Sequence, residues 1–240
     1  MKVAALYDIH GNLPALEAVL AEVPGDAEIV VGGDVFAGPM PAETLAAVRE
    51  LGSRAHFLHG NADREEAPAE EPGLARYHWV QAYLSPADRS WIDSWPPTLT
   101  LDVNGVGSTL FCHGSPRSDV ESITAVTSED RLREILDGVA ERTVVCGHTH
   151  HQFDRRLDGV RVVNAGSVGL AYQGQRGAYW ALLGPDVELR RTEYDAEAAA
   201  AAVRVSTYPD PEEKIELWLN PPSADEAAEV FEHQALAEAR

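Results

Sequence analysis

The sequence predicts an α/β fold, on two observations. Five short apolar runs, Val3-Ala4-Ala5-Leu6-Tyr7, Ile29-Val30-Val31, Phe57-Leu58, Leu110-Phe111-Cys112 and Val144-Val145-Cys146, have the length and composition of strands. Each runs directly into a short motif of Gly, Asp, Asn or His, so polar residues gather just past the strand ends. With 240 residues, 45% of them hydrophobic, the chain can bury a substantial core, and one domain spanning residues 1–240 is expected.

The elements follow in order. After the first strand, Asn12 caps a helix that carries Pro14 in its first turn and repeats Leu13, Leu16, Val19, Leu20 and Val23 at helical spacing. The strand Ile29 to Val31 leads through a turn at Gly38-Pro39 into a helix near Pro41 to Leu51, giving a β-α-β-α-β opening with right-handed crossovers. At about 65–97 the pattern changes to an acidic, Pro-containing loop and helical segments around Leu74 to Leu84 and Pro86 to Trp95. This helical insertion holds Trp79, Tyr83, Trp91 and Trp95; it should pack near the mouth of the site, most of its aromatics serving as core.

Strands resume at Thr98, with Asn104-Gly105 as a hairpin turn, then a helix from about Glu129 to Val139 and the strand feeding Gly147. Ala178 to Leu183 and Val187 to Arg191, parted by Gly184-Pro185-Asp186, read as a further strand pair. The last part, about 196–240, is Ala-rich and helical, broken at Pro209, Pro211 and Pro221-Pro222.

The polar motifs are Asp8-x-His10, Gly33-Asp34, Gly60-Asn61, His113-Gly114 and Gly147-His148-Thr149-His150. They offer seven metal ligands, Asp8, His10, Asp34, Asn61, His113, His148 and His150, enough for two divalent cations sharing one carboxylate. Asp34 is the expected bridge, since Gly32-Gly33 permits close backbone approach. Mixed oxygen and nitrogen ligation suits Mn²⁺ or Fe²⁺, with Zn²⁺, Ni²⁺ or Co²⁺ as alternatives, and speaks against a structural zinc site. Such a site hydrolyses phosphate esters, a metal-bridging hydroxide attacking phosphorus in line with the leaving group. Asp34, Asn61 and His113 are the expected catalytic residues, and Arg64 and Arg117, adjacent in sequence, are candidate donors to the developing charge. His56, His78 and His233 read as packed or surface residues, His59 and His151 stay unassigned, and Cys112 and Cys146 read as small buried residues at strand ends.

A net charge of -20 argues against long nucleic acid as a partner, yet a small phosphorylated substrate, such as a nucleotide, remains compatible because bound cations invert the local charge. No run is long and apolar enough to span a bilayer, and Met1-Lys2-Val3 lacks a signal-peptide plan, so no membrane partner and a cytoplasmic location are expected.

Taken as a set, these motifs resemble the calcineurin-like metallophosphoesterase superfamily, with its D-x-H, G-D, G-N, later H and G-H-x-H pattern. The match runs from Asp8 to Gly169 and looks nearest to small bacterial phosphodiesterases, including their N-x-G-S-V-G, here Asn164-Ala165-Gly166-Ser167-Val168-Gly169. The resemblance implies a four-layer α/β/β/α sandwich of two mixed β-sheets, with the insertion and the C-terminal helices bordering the cleft. It implies a first metal on Asp8, His10, Asp34 and His150, and a second on Asp34, Asn61, His113 and His148. Two positions depart from the pattern: Tyr7 replaces the usual Ser, and Ala62 stands where many relatives carry a histidine that protonates the leaving group or contacts phosphate. An acid of that kind is worth roughly 10²–10⁴-fold, so leaving groups that need little protonation should be favoured, and the resulting expectation is a phosphodiesterase. His59, Asp63 and His151 are candidate substitutes for the acid. The alternatives are a phosphomonoesterase or protein serine/threonine phosphatase on the same metals, and a non-catalytic binding scaffold with the same fold.

Overall fold

In the computed structural model, residues 1–64 and 73–238 are described. β1 (Lys2–Leu6), α1 (Leu13–Glu22), β2 (Ala27–Val31), α2 (Pro41–Glu50) and β3 (Ala55–Phe57) form the parallel opening that the apolar runs predict, with Leu6 level with Val31 and Val31 with Phe57. Asn12 caps α1 as expected, its side-chain oxygen accepting the Ala15 N–H at 3.3 Å. The insertion contributes α3 (Gly73–Gln81) and α4 (Pro86–Asp93), while its acidic loop at 65–72 lies outside the described residues.

β4 (Thr98–Val103) and β5 (Gly107–Cys112) form the hairpin signalled by Asn104-Gly105; α5 (Glu129–Ile135) leads to β6 (Thr143–Cys146). α5 is shorter than predicted, because Leu136 closes it and Gly138 turns the chain with φ 82°. β7 (Phe153–Leu157) and β8 (Val160–Asn164) are strands beyond those the apolar runs predict, joined by the hairpin turn Asp158-Gly159 with φ 50° and 91°. β9 (Ala178–Leu183) and β10 (Val187–Thr192) return to the first sheet, where β9 lies antiparallel to β1. α6 (Ala196–Arg204), α7 (Pro211–Leu219) and α8 (Ala224–Glu238) complete the chain.

Two mixed sheets result, ordered β10-β9-β1-β2-β3 and β4-β5-β6-β8-β7. Because side chains alternate across a strand, β1 turns Val3, Ala5 and Tyr7 toward Phe111, Val145 and Val163 of the second sheet. Ala4 and Leu6 face outward onto Leu16 and Val19 of α1, in a cluster that also takes Trp95 and Ile92 from the insertion. The second sheet turns Cys112, Val144 and Cys146 onto Leu132 and Ile135 of α5. The α/β/β/α order is therefore the one the resemblance implies, and both cysteines are buried core residues.

Tyr7 fits between the sheets because Gly32 and Gly147 leave room: a Cβ on either would strike its ring. Its hydroxyl donates to the Val145 carbonyl at 3.1 Å and so ties one sheet to the other. Of the insertion's aromatics, Trp91 and Trp95 pack on Phe57, whereas Trp79 lies against Tyr208 of the C-terminal segment and Tyr83 is exposed rather than core. Among the described residues, no helix is long and apolar enough to cross a membrane.

Candidate metal centre

All seven predicted ligands lie past the C-terminal ends of strands: Asp8 and His10 after β1, Asp34 after β2, Asn61 after β3, His113 after β5, His148 and His150 after β6. Since β1-β2-β3 and β5-β6 are parallel sets, these ends converge on one edge of the sandwich. Seven non-glycine residues have positive φ among the described residues, and five of them are Asp8, His10, Asp34, His148 and His150, at 48° to 66°. Left-handed backbone at such residues costs on the order of 1–3 kcal/mol each and persists only where the surroundings enforce it; its concentration here marks a functional site.

The Asp8 carbonyl accepts the Ser167 hydroxyl at 2.7 Å and the Gly169 N–H at 3.0 Å. Asn164 Nδ2 donates to the Gly147 carbonyl at 2.7 Å while its Oδ1 accepts the Gly166 N–H. The Asn164 to Gly169 segment thus clamps the loops after β1 and β6 together. Gly33 and Gly60 let the loops after β2 and β3 touch: a Cβ on Gly60 would run into the Asp34 carboxylate.

Two groups of donor atoms converge, Asp8 with His10 and His150, and Asp8 with Asp34 and His113. Asp8 Oδ1 lies 3.4 Å from His150 Nε2, 3.9 Å from His113 Nε2 and 4.0 Å from His10 Nε2. Asp34 spans the two sides, with Oδ2 3.8 Å from His10 Nε2 and Oδ1 3.4 Å from His113 Nε2. Asn61 Oδ1 adds an oxygen 3.1 Å from His113 Nε2. His148 enters differently: its backbone N–H donates to Asp8 Oδ2 at 2.9 Å and its ring stands beside those of His113 and Phe231.

The donor set fits cations. His150 Nδ1 donates to the Leu170 carbonyl at 2.8 Å, and that partner assigns the tautomer, turning the Nε2 lone pair toward Asp8 Oδ1. That oxygen is buried and has no hydrogen-bond partner. His150 Nε2 also lies 3.1 Å from His10 Nε2, and the unpartnered Asp8 oxygen facing these rings is an arrangement that a positive ion stabilises. His113 is held in a similar way, with Nδ1 donating to the Gly32 carbonyl at 2.8 Å and Nε2 facing the Asp34 and Asn61 oxygens, where a cation would take the place of its proton.

Burial, with Lys214 and His150 nearby, pushes His10 down to about 3, and burial beside His113 pushes His148 down to about 4, so both rings are neutral and ready to ligate. Burial also pulls on His113, but the Asp34 and Asp8 carboxylates overcome it and raise the ring to about 10. Without a cation His113 holds a proton that a cation would displace. Burial opposes ionisation of Asp8 and Asp34, yet the imidazoles of His150 and His113 hold both below the usual carboxylate range.

Of the three candidate acids, Asp63 is committed to backbone N–H groups. Asp63 Oδ2 accepts the N–H of Asp34 at 2.7 Å and of Gly60 at 3.1 Å, and its Oδ1 accepts the Val35 N–H at 2.8 Å. It is a positioning residue that joins the loops after β2 and β3, and burial with the Asp34 charge pushes it up to about 7. His151 is buried, with Nδ1 donating to the Thr149 carbonyl, and His59 is partly buried beside Pro96. The arginine candidates also fall elsewhere: Arg117 is engaged by Glu121 and the Glu134 carbonyl, and Arg64 pairs with Asp119 at 3.1 Å. His78 and His233 are exposed and His56 pairs with Glu28, as their surface reading implies.

A pocket of about 310 Å³ opens on the centre, reached by His10, Asn61 and Ala62 and walled by Tyr77 and Val80 of α3 and by Tyr208 and Lys214 of the C-terminal part. The insertion and the C-terminal helices therefore border the cleft. Arg76 of α3 latches them together, pairing with Glu213 at 2.7 Å and donating to the Asp210 carbonyl at 2.8 Å. Lys214 and Arg76 escaped the sequence reading because no local pattern connects them to the strand-end motifs.

Comparison with known proteins agrees with this geometry. A model of the calcineurin-like phosphoesterase superfamily domain matches residues 1–184. An uncharacterized protein of Methanocaldococcus jannaschii is 23% identical over 87% of this chain and 94% of its own length. A metallophosphoesterase from Sphaerobacter thermophilus superposes with a TM-score of 0.75 at 24% identity, covering 92% of this chain and 99% of its own. A hypothetical protein from Pyrococcus horikoshii OT3 superposes with a TM-score of 0.79 at 21% identity, covering 90% and 97%. With the strand-end ligands, the α/β/β/α layers and a match over more than three quarters of its length, the chain belongs to the calcineurin-like phosphoesterase superfamily.

Proposed function

We propose that the protein is a binuclear metal-dependent phosphodiesterase acting on small, nucleotide-type substrates. The observation that carries this reading is the buried, unpartnered Asp8 Oδ1 with the Nε2 atoms of His10, His113 and His150 turned toward it. Asp8, His10, Asp34 and His150 would hold one divalent ion, and Asp34, Asn61, His113 and His148 the other, with Mn²⁺ or Fe²⁺ the best match to mixed oxygen and imidazole donors. When bound, such ions supply Lewis acidity to the phosphoryl group and an activated water.

The chain's own residues do the rest. Asp34 presents an oxygen to each side, and Ala62 N–H holds Oδ1 in place at 2.7 Å. Asn61 offers its amide oxygen as a ligand through Oδ1, and its Nδ2–H donors to an equatorial phosphoryl oxygen. At Ala62 the chain has no group that can hand a proton to the departing oxygen, so esters whose leaving groups depart without help are the natural substrates. The net charge of -20 supports small substrates over long polynucleotides.

The test is turnover of bis(p-nitrophenyl) phosphate against p-nitrophenyl phosphate by the Mn²⁺-loaded protein, with Ala62→His beside wild type on a dialkyl phosphodiester, whose leaving group is an alkoxide. The diester is the better substrate, and the histidine raises release of the poor leaving group roughly 10²-fold while leaving p-nitrophenol release nearly unchanged. A monoester preference would favour the phosphomonoesterase alternative. An equal effect of Ala62→His on both leaving groups would remove the missing-acid account.

A further inference from the structure

Lys214 is nine-tenths buried, yet among the described residues its ammonium makes no hydrogen bond and no ion pair. In a chain with 39 acidic residues this is not for want of carboxylates. Its neighbour Glu213 is taken by Arg76, which also donates to the carbonyls of Pro209 and Asp210. Trp218, one turn further along α7, donates its indole N–H to the Gly169 carbonyl at 2.8 Å, in the segment that clamps the centre. The helix is thus fixed on both sides of Lys214, which lines the pocket beside His10. Burying the ammonium is costly, the charges of Glu213 and Asp34 offset part of that cost, and an arriving anion offsets more.

The rest of the pocket has a different character. Tyr77, Val80 and Tyr208 give it an apolar wall, and Tyr208 is locked edge-on against Trp79 with ring centroids 5.2 Å apart. At about 310 Å³ it sits at the small end of ligand sites, which run from roughly 300 to 1,000 Å³, enough for one nucleoside-sized group.

We propose that this pocket is the substrate subsite of the enzyme, with Lys214 contacting the phosphoryl oxygens and the Tyr208 wall holding an aromatic organic group, so that the substrate is an organophosphate of mononucleotide size. The proposal rests on the phosphodiesterase reading and names its substrate class. Lys214, lining the same pocket, supplies the phosphate contact that Ala62 cannot make, and it belongs to a helix outside every motif of the family pattern.

The experiment compares wild type, Lys214→Met and Tyr208→Leu, all full chain and Mn²⁺-loaded. Binding of inorganic phosphate and of thymidine 5′-monophosphate is measured by calorimetry, and turnover with thymidine 5′-monophosphate p-nitrophenyl ester. Lys214→Met weakens both ligands and raises KM for the ester by about tenfold or more, the loss of a charged hydrogen bond. Its metal content stays at the wild-type value and its Tm is not lowered, since an unpaired buried charge has been removed; a lysine kept for structure would lower Tm. Tyr208→Leu weakens thymidine 5′-monophosphate but not inorganic phosphate. Unchanged Kd and KM in Lys214→Met would overturn the phosphate contact, and equal weakening of both ligands in Tyr208→Leu would overturn the aromatic subsite. Should metal-loaded wild type turn over no ester, the hydrolase reading fails while the binding measurements still decide the subsite.

Discussion

Asp34→Asn keeps the fold and removes metal-dependent turnover, with kcat/KM falling by on the order of 10³-fold. The reason is geometric. Asp34 places one oxygen 3.8 Å from His10 Nε2 and the other 3.4 Å from His113 Nε2, so it faces a histidine of each donor group, while Asp8 belongs to both groups. An amide keeps the acceptor for the Ala62 N–H but loses the anionic charge and replaces one ligating oxygen with NH₂. It also removes the carboxylate that does most to hold His113 protonated against burial, so the ring becomes neutral at a higher proton concentration than in wild type. Metal analysis after gel filtration should find wild type with two Mn²⁺ per chain and the variant with fewer. A variant that retains both ions and wild-type turnover would sink the assignment of Asp34.

Asp63→Ala destabilises the metal-free protein by about 3 kcal/mol. Its carboxylate accepts three backbone N–H groups, from Asp34, Val35 and Gly60, and alanine leaves them buried without partners. Part of the loss is offset because burial and the Asp34 charge already disfavour the ionised form, pushing Asp63 up to about 7. The same shift gives the loss a pH signature. Between about pH 4 and 7 the folded protein holds a proton that the unfolded chain releases, so wild-type stability falls as pH rises through this window. The variant lacks that fall, and the gap between the two narrows from pH 4 toward 7. Urea unfolding at several pH values measures both effects. A loss below about 1 kcal/mol, or one that widens toward pH 7, would contradict the role given to Asp63.

The seven ligands were legible because each is announced locally, by an apolar run that must be a strand and a polar motif that must follow its end. The parallel order of β1, β2 and β3 then brings the first four together with no further information. What sets the other side was less legible. That β9 returns to pair with β1 depends on contacts across most of the chain, and its own pattern of six buried residues does not say which sheet it joins. Arg64 and Arg117 were chosen for adjacency in sequence, but a side chain's direction is set by the loop that carries it, and these two turn to Asp119 and Glu121. Lys214 was invisible for the converse reason: its pattern is that of an ordinary α-helix, and only the docking of α7 by Arg76 and Trp218 brings it beside His10. Asp63 stood in the motif that supplied Asn61, yet only the three N–H groups aimed at it separate an acid from a brace.

The most direct test is titration of Mn²⁺ into the chelator-stripped full chain, following bound metal and turnover of bis(p-nitrophenyl) phosphate in the same samples. Stripped protein should be folded and inactive, and turnover should return as the chain takes up two ions, with proton release as His113 gives up its proton to become a ligand. Full turnover that survives stripping, or a folded chain that takes up no metal, would contradict the proposed metal-dependent hydrolysis.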